Sequence, residues 1–142
     1  MKKILLAVIL IIPISFVANA QKLDASKVPT SVKASFTKQY PNVTAKWEKE
    51  DGKYEASFKQ GSNNMSAMFE VNGTFTESEM DIKVVDLPAS VLAYVKQYYK
   101  GKKIKEGAKI TKADGTVNYE AEVGGKDLIF DADGKFLKEI KA

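Results

Sequence analysis

The sequence predicts an α+β domain: two helix-plus-four-strand units forming an antiparallel sheet, with both helices packed on one of its faces. Three observations predict it. Short motifs recur in order about 60 residues apart. Apolar residues recur every four positions in two segments. Elsewhere apolar and polar residues alternate, with Asp-Gly or Asn-Gly pairs between the runs.

The chain opens on a segment that reads as export machinery rather than fold. Lys2 and Lys3 precede an unbroken apolar run from Ile4 to Ile12, and Ala18-Asn19-Ala20 is a small-x-small cleavage site. Residues 1–20 are therefore expected to be a signal peptide, and the mature chain to begin at Gln21. N-terminal sequencing of the exported form checks this: Gln21 first is expected, and a retained Met1 contradicts it. The apolar run is shorter than the roughly 20 residues that span a bilayer, and no later stretch is long enough, so no membrane insertion of the mature chain is expected. No cysteine follows the run, so lipoprotein acylation is excluded.

Residues 21–142 fit one domain, read as two repeats over about 24–84 and 85–142. Val28-Pro29-Thr30-Ser31-Val32 recurs as Leu87-Pro88-Ala89-Ser90-Val91. The segment Lys46 to Gly52 recurs as Lys109 to Gly115, which sets Ile110 against Trp47. Tyr54-Glu55-Ala56 recurs as Tyr119-Glu120-Ala121, and Phe69 to Phe75 recurs as Phe130 to Phe136. Each unit alone is too small to exclude water from both ends of its sheet, so the two are expected to share a core.

The first helix follows Pro29 and carries the stripe Val28, Val32, Phe36 and Tyr40. Pro41 ends it. The second follows Pro88, carries Leu87, Val91, Val95 and Tyr98 or Tyr99, and ends at Gly101. In the strands, Tyr54, Ala56 and Phe58 face one way, while Glu55, Ser57 and Lys59 face the other. Val117, Tyr119, Ala121 and Val123 oppose Asn118, Glu120 and Glu122 in the same manner. Asp51-Gly52, Asn72-Gly73, Asp114-Gly115 and Asp133-Gly134 mark hairpin turns, since these pairs tolerate positive φ. Trp47, the only tryptophan, alternates with Ala45, which places it in the core rather than at a binding surface.

The repeated (V/L)-P-x-x-V helix start, the Tyr-Glu-Ala strand and the F-x-x-(N/D)-G hairpin together resemble the PepSY-like family of bacterial periplasmic proteins, which is also described as similar to the β-lactamase inhibitory protein. The resemblance covers essentially the whole mature chain. It implies a curved antiparallel sheet with helices on one face, a periplasmic or secreted location, and a binding or inhibitory role. It carries over no catalytic residue.

The chemistry within reach is narrow. There is no histidine and no cysteine, so Ser-His-Asp and Cys-His mechanisms and ordinary zinc sites are excluded. All 22 basic residues are lysine; removing Lys2 and Lys3 leaves 20 against 18 acidic residues, a near balance that argues against nucleic acid as a partner. Asp131 and Asp133 begin like a calcium loop, but the twelfth position from Asp131 is Ala142, not glutamate, so an EF-hand is excluded and only weak calcium binding is left open.

The expected function is therefore non-enzymatic binding of a protein partner with no resident cofactor, possible inhibition of an envelope or secreted enzyme included. The alternative is a weak calcium- or small-ligand-responsive sensor. The expected contact surface is the solvated sheet face: Glu48, Glu50, Glu55, Ser57, Lys59, Asn118, Glu120 and Glu122.

Overall fold

The computed structural model describes residues 21–141; the expected signal peptide lies outside them. In chain order the elements are β1 (Gln21–Leu23), α1 (Thr30–Gln39), β2 (Lys46–Glu50), β3 (Lys53–Gln60), β4 (Asn63–Phe69), β5 (Phe75–Ile82), α2 (Ala89–Tyr98), β6 (Ile104–Lys112), β7 (Val117–Val123), β8 (Lys126–Phe130) and β9 (Phe136–Lys141). Short 3-10 turns, Ala25–Lys27 and Val84–Asp86, lead into the helices. Among the described residues, nine strands form one antiparallel sheet in sequential order, β1 to β9. The three-residue β1, which pairs with β2 through Leu23 and Trp47, has no counterpart in the expected four-strand unit.

Pro29 and Pro88 sit at the N-caps, with extended ψ near 140°, so neither disturbs the helical hydrogen bonds. Each first turn is tied instead to a distant hairpin. Ser31 Oγ donates to the carbonyl of Val71 at 2.9 Å, and Ser90 Oγ to that of Asp133 at 2.9 Å. The turn beneath each helix must be glycine. At Gly73 φ is +87°, and a Cβ would lie 2.6 Å from the Ser31 carbonyl oxygen; at Gly134 φ is +77°, and a Cβ would meet Ser90 Oγ.

Both helical stripes turn toward the same sheet face, but the buried residues form two clusters and not the shared core expected from the sequence. Val28, Val32 and Phe36 pack on Trp47, Tyr54, Ala56, Phe58, Ala67 and Phe69. Leu87, Val91 and Val95 pack on Ala121, Val123, Leu128 and Phe130. The buried residues under each helix come from strands that follow it in sequence, with Leu23 of β1 and Ile82 of β5 packed at the margins, and the β5–β6 ladder, from Glu77–Lys112 to Ile82–Gly107, makes the sheet continuous between them. Tyr119 is partly buried at the margin of the second cluster. Of the two tyrosines offered for the α2 stripe, Tyr98 is exposed, while Tyr99 is partly covered and donates through Oη to Glu139 at 2.6 Å.

Ile110 is a further departure. It does not occupy the counterpart of the Trp47 position. In the β2–β3 hairpin, Asp51 and Gly52 alone form the loop, both at positive φ, as a type I′ turn requires. The β6–β7 loop has three residues: Lys112 N–H donates to the Thr116 carbonyl, Gly115 N–H donates to the Lys112 carbonyl, and Gly115 has positive φ. One extra residue before the turn reverses the facing of every β6 side chain relative to β2. Ile110 is thereby placed on the face away from the helices, opposite Glu79 and Asn118, while Gly107 lies under Leu87 on the helix side.

Candidate functional site: the sheet face opposite the helices

Antiparallel register determines which side chains share a face, because residues directly opposite each other project the same way. One row across the sheet runs Glu48, Glu55, Met68, Glu77, Lys112. The next runs Lys46, Ser57, Ser66, Glu79, Ile110, Asn118. A third places Asp81, Ala108, Glu120, Ile129 and Lys138 side by side. Glu106, Glu122 and Asp127 continue toward the β9 edge.

All eight residues expected at the contact surface project from this face. Glu48 pairs with Glu55, Glu50 with Lys53, Ser57 with Ser66, Lys59 with Asn64, and Asn118, Glu120 and Glu122 follow along β7. The face is nevertheless not the uniformly solvated surface expected. Asn118 is only 7% exposed, and Glu55 and Glu120 are partly buried. Ala108, Ile110 and Ile129 are buried here too, outside both core clusters. The sequence reading also missed the centre of the site. Glu77, Glu79 and Asp81 alternate along β5 with the period of a strand, and that spacing was the available signal.

The electrostatics follow from this crowding. Burial, with the like charges of Glu55, Asp81, Asp127 and Glu77 added, pushes the Glu79 carboxyl up to about 7. Burial, then Glu79, Asp127, Glu122 and Asp81, pushes Glu120 up to about 8. Burial raises Glu55 against a lowering hydrogen bond from Ser66, and Glu50 and Glu48 raise it further. Asp127 is raised by burial and by Glu122 and Glu106. No lysine figures among the groups acting on Glu79 or Glu120. Lysines meet the acids at the margins: Lys105 Nζ lies 3.1 Å from Glu122, and Lys126 Nζ lies 2.7 Å from Glu139. Toward β2 an open groove is lined by Lys46, Lys59, Ser57, Ser66 and the carboxylates of Glu55 and Glu79.

Asp131 and Asp133 lie apart from this face, in the β8–β9 turn. Asp131 Oδ1 accepts from the backbone N–H groups of Asp133 and Lys135 at 3.0 and 2.9 Å, which closes the turn. Among the described residues, no group of three or more acidic side chains is arranged to hold a metal ion.

A family model described as "Putative beta-lactamase-inhibitor-like, PepSY-like" matches residues 16–77 and, again, 52–138. Among solved structures, the chain is similar to one from Bacteroides eggerthii described under "putative periplasmic proteins" (17% identity, TM-score 0.71, covering 80% of this chain and 88% of that one). It is similar to a DUF2874 family protein from Bacteroides uniformis (18%, TM-score 0.71, 80% and 88%). It is also similar to a BLIP-like protein from Bacteroides fragilis (24%, TM-score 0.65, 80% and 86%). At these identities the likeness is one of fold. No curated protein matches the chain.

Proposed function

The chain belongs to the PepSY-like, beta-lactamase-inhibitor-like family, and we propose that it is an exported, non-enzymatic protein-binding module of the bacterial envelope that works through the sheet face opposite its helices. The observation that carries the reading is the crowding of carboxyls on that face with no lysine at its centre. An isolated fold gains nothing from carboxyls that repel one another, whereas a positively charged partner relieves the repulsion as it docks. The signal-like N-terminus and the periplasmic description of a structural neighbour support the location. The BLIP-like description of another supports inhibition of an enzyme as one form the binding takes. Raised carboxyls also serve general acids, but an acid catalyst works on a substrate enclosed in a cleft; the groove that Glu79 lines is wide open to solvent, and Glu120 stands outside it.

The test uses immobilised residues 21–142 as bait for envelope extract, followed by titration of the purified partner. Glu55→Lys and Glu120→Lys are each expected to weaken that partner at least tenfold and to slow its association, most at low salt. Binding equal to wild type in both folded variants removes the sheet face, and the hairpin turns, the β3–β4 turn at Gly61-Ser62 among them, become the site. The calcium-responsive alternative separates on melting temperature: no change with calcium is expected, since Asp131 Oδ1 already serves two backbone amides, and a rise of several degrees would favour the sensor.

A further inference from the structure

The middle of the sheet face has a composition that a merely solvated surface does not need. The β6 strand contributes two buried apolar residues, Ala108 at 4% and Ile110 at 8% exposure, on the side away from the helices. On one flank stand Glu79 and Asp81 of β5, paired with Ile110 and Ala108 respectively. On the other stand Asn118 and Glu120 of β7, paired with the same two residues. The result is an apolar floor one strand wide between two polar walls.

Asn118 is the independent sign that this patch awaits a ligand. It is the only buried polar residue among those described, at 7% exposure. Its carboxamide enters none of the side-chain hydrogen bonds found among the described residues. No side-chain nitrogen or oxygen there is both enclosed and unpaired, so this amide keeps its opening toward the sheet face rather than toward the helices. Water reaches that opening in the free chain, and a donor from a ligand can take the place of that water.

We propose that this patch is the seat of a lysine or arginine side chain from the protein partner, with Ala108 and Ile110 beneath its aliphatic stem, Glu79, Asp81 and Glu120 around its cationic head, and the Asn118 carboxamide oxygen accepting from it. This rests on the sheet-face reading above and names the chemistry of its partner. The stem-plus-head character of these side chains suits an apolar strip with a charged rim. Arginine satisfies more of the acceptors at once, through its planar fork of donors. Binding is linked to protons. The carboxyls facing Glu79 are Glu55 from β3, Glu77 and Asp81 from β5, Glu120 from β7 and Asp127 from β8; those facing Glu120 are Glu79, Asp127, Glu122 and Asp81, with Lys138 of β9 in its row and Lys105 engaged by Glu122. An arriving cation displaces protons from the crowded acids, so affinity rises as pH rises.

The experiment titrates labelled residues 21–142 with Nα-acetyl-arginine N-methylamide and Nα-acetyl-lysine N-methylamide, with the norleucine analogue as an uncharged control, and follows backbone amide shifts. Saturable shifts at Ala108, Ile110, Asn118 and Glu120 are expected, at least tenfold weaker with norleucine and at least tenfold tighter at pH 9 than at pH 6. Glu79→Gln and Glu120→Gln, each checked for a native amide spectrum, are expected to lose most of this affinity. Shifts confined to other acidic residues, equal response to norleucine, or no effect of either variant would overturn the proposal. If the probes miss this patch while the captured partner still requires Glu55 and Glu120, the seat fails and the wider face stands. If the partner ignores both residues as well, both readings fail.

Discussion

Trp47→Ala is expected to cost about 3–5 kcal/mol of folding stability, the range for deleting a large buried aromatic. Trp47 is 7% exposed, and its ring meets Phe36 edge-on at 5.4 Å and Phe69 at 6.5 Å. Phe36 in turn meets Tyr40 at a tilt and Phe58 and Phe69 edge-on, so the indole closes an aromatic cluster that α1 covers. Small neighbours do not refill the space readily, since Ala56 and Ala67 on the adjoining strands are fixed by the ladder. Because the two helices cover separate clusters, the loss should leave the packing of Phe130, Leu128 and Val123 intact at low denaturant. Urea unfolding of both proteins measures the cost. A loss below about 1 kcal/mol would mean that the indole contributes at the surface and not in the core.

The second large effect is on pH. The carboxyls of Glu79 and Glu120 are raised in the folded chain, from 4.5 to about 7 and about 8. A raised carboxyl binds its proton more tightly in the folded state. Its contribution is therefore fully present below the unfolded value of 4.5 and is lost as pH climbs through 7 and 8. At about 1.4 kcal/mol per pKa unit, and after screening at a partly open face, the two together should remove about 2–4 kcal/mol between pH 5 and 9. The Glu79→Gln/Glu120→Gln double variant should lose most of this decline, the raised Glu55 and Asp127 keeping the remainder, and should exceed the wild type in stability at pH 9. Urea midpoints across that range check both statements, and a flat wild-type curve would contradict them. The cost is one that a cationic partner recovers, which ties the stability of the free chain to its function.

Much of this fold was legible because local signals were strong and agreed with one another. The Val28-Val32-Phe36 stripe, the alternation through Tyr54 and Phe58, and the glycines at 52, 73, 115 and 134 each admit one physical reading. What stayed hidden depends on register. The recurrence of Asp-Gly drew Ile110 into line with Trp47, but the loop before Thr116 holds one residue more than the loop before Lys53, and a single residue changes the face. The acidic face was legible on β3 and β7 from their alternation. The role of Glu79 was not, because its neighbours across the sheet, Ser66 and Ile110, lie 13 and 31 positions away and are set only by strand order. The separate clusters were likewise illegible: nothing in the two stripes says whether each helix covers its own strands or both sets.

The account turns on two carboxyls in the middle of the sheet face that keep their protons well above the usual carboxylate range. The most direct measurement is a titration of the glutamate side-chain carboxyl carbons of residues 21–142 by NMR, assigned with Glu79→Gln and Glu120→Gln. Two carboxyls titrating near pH 7 and 8, each lost in its own variant, are predicted. Titration of every glutamate below about pH 5, the range of solvated carboxylates, would contradict it.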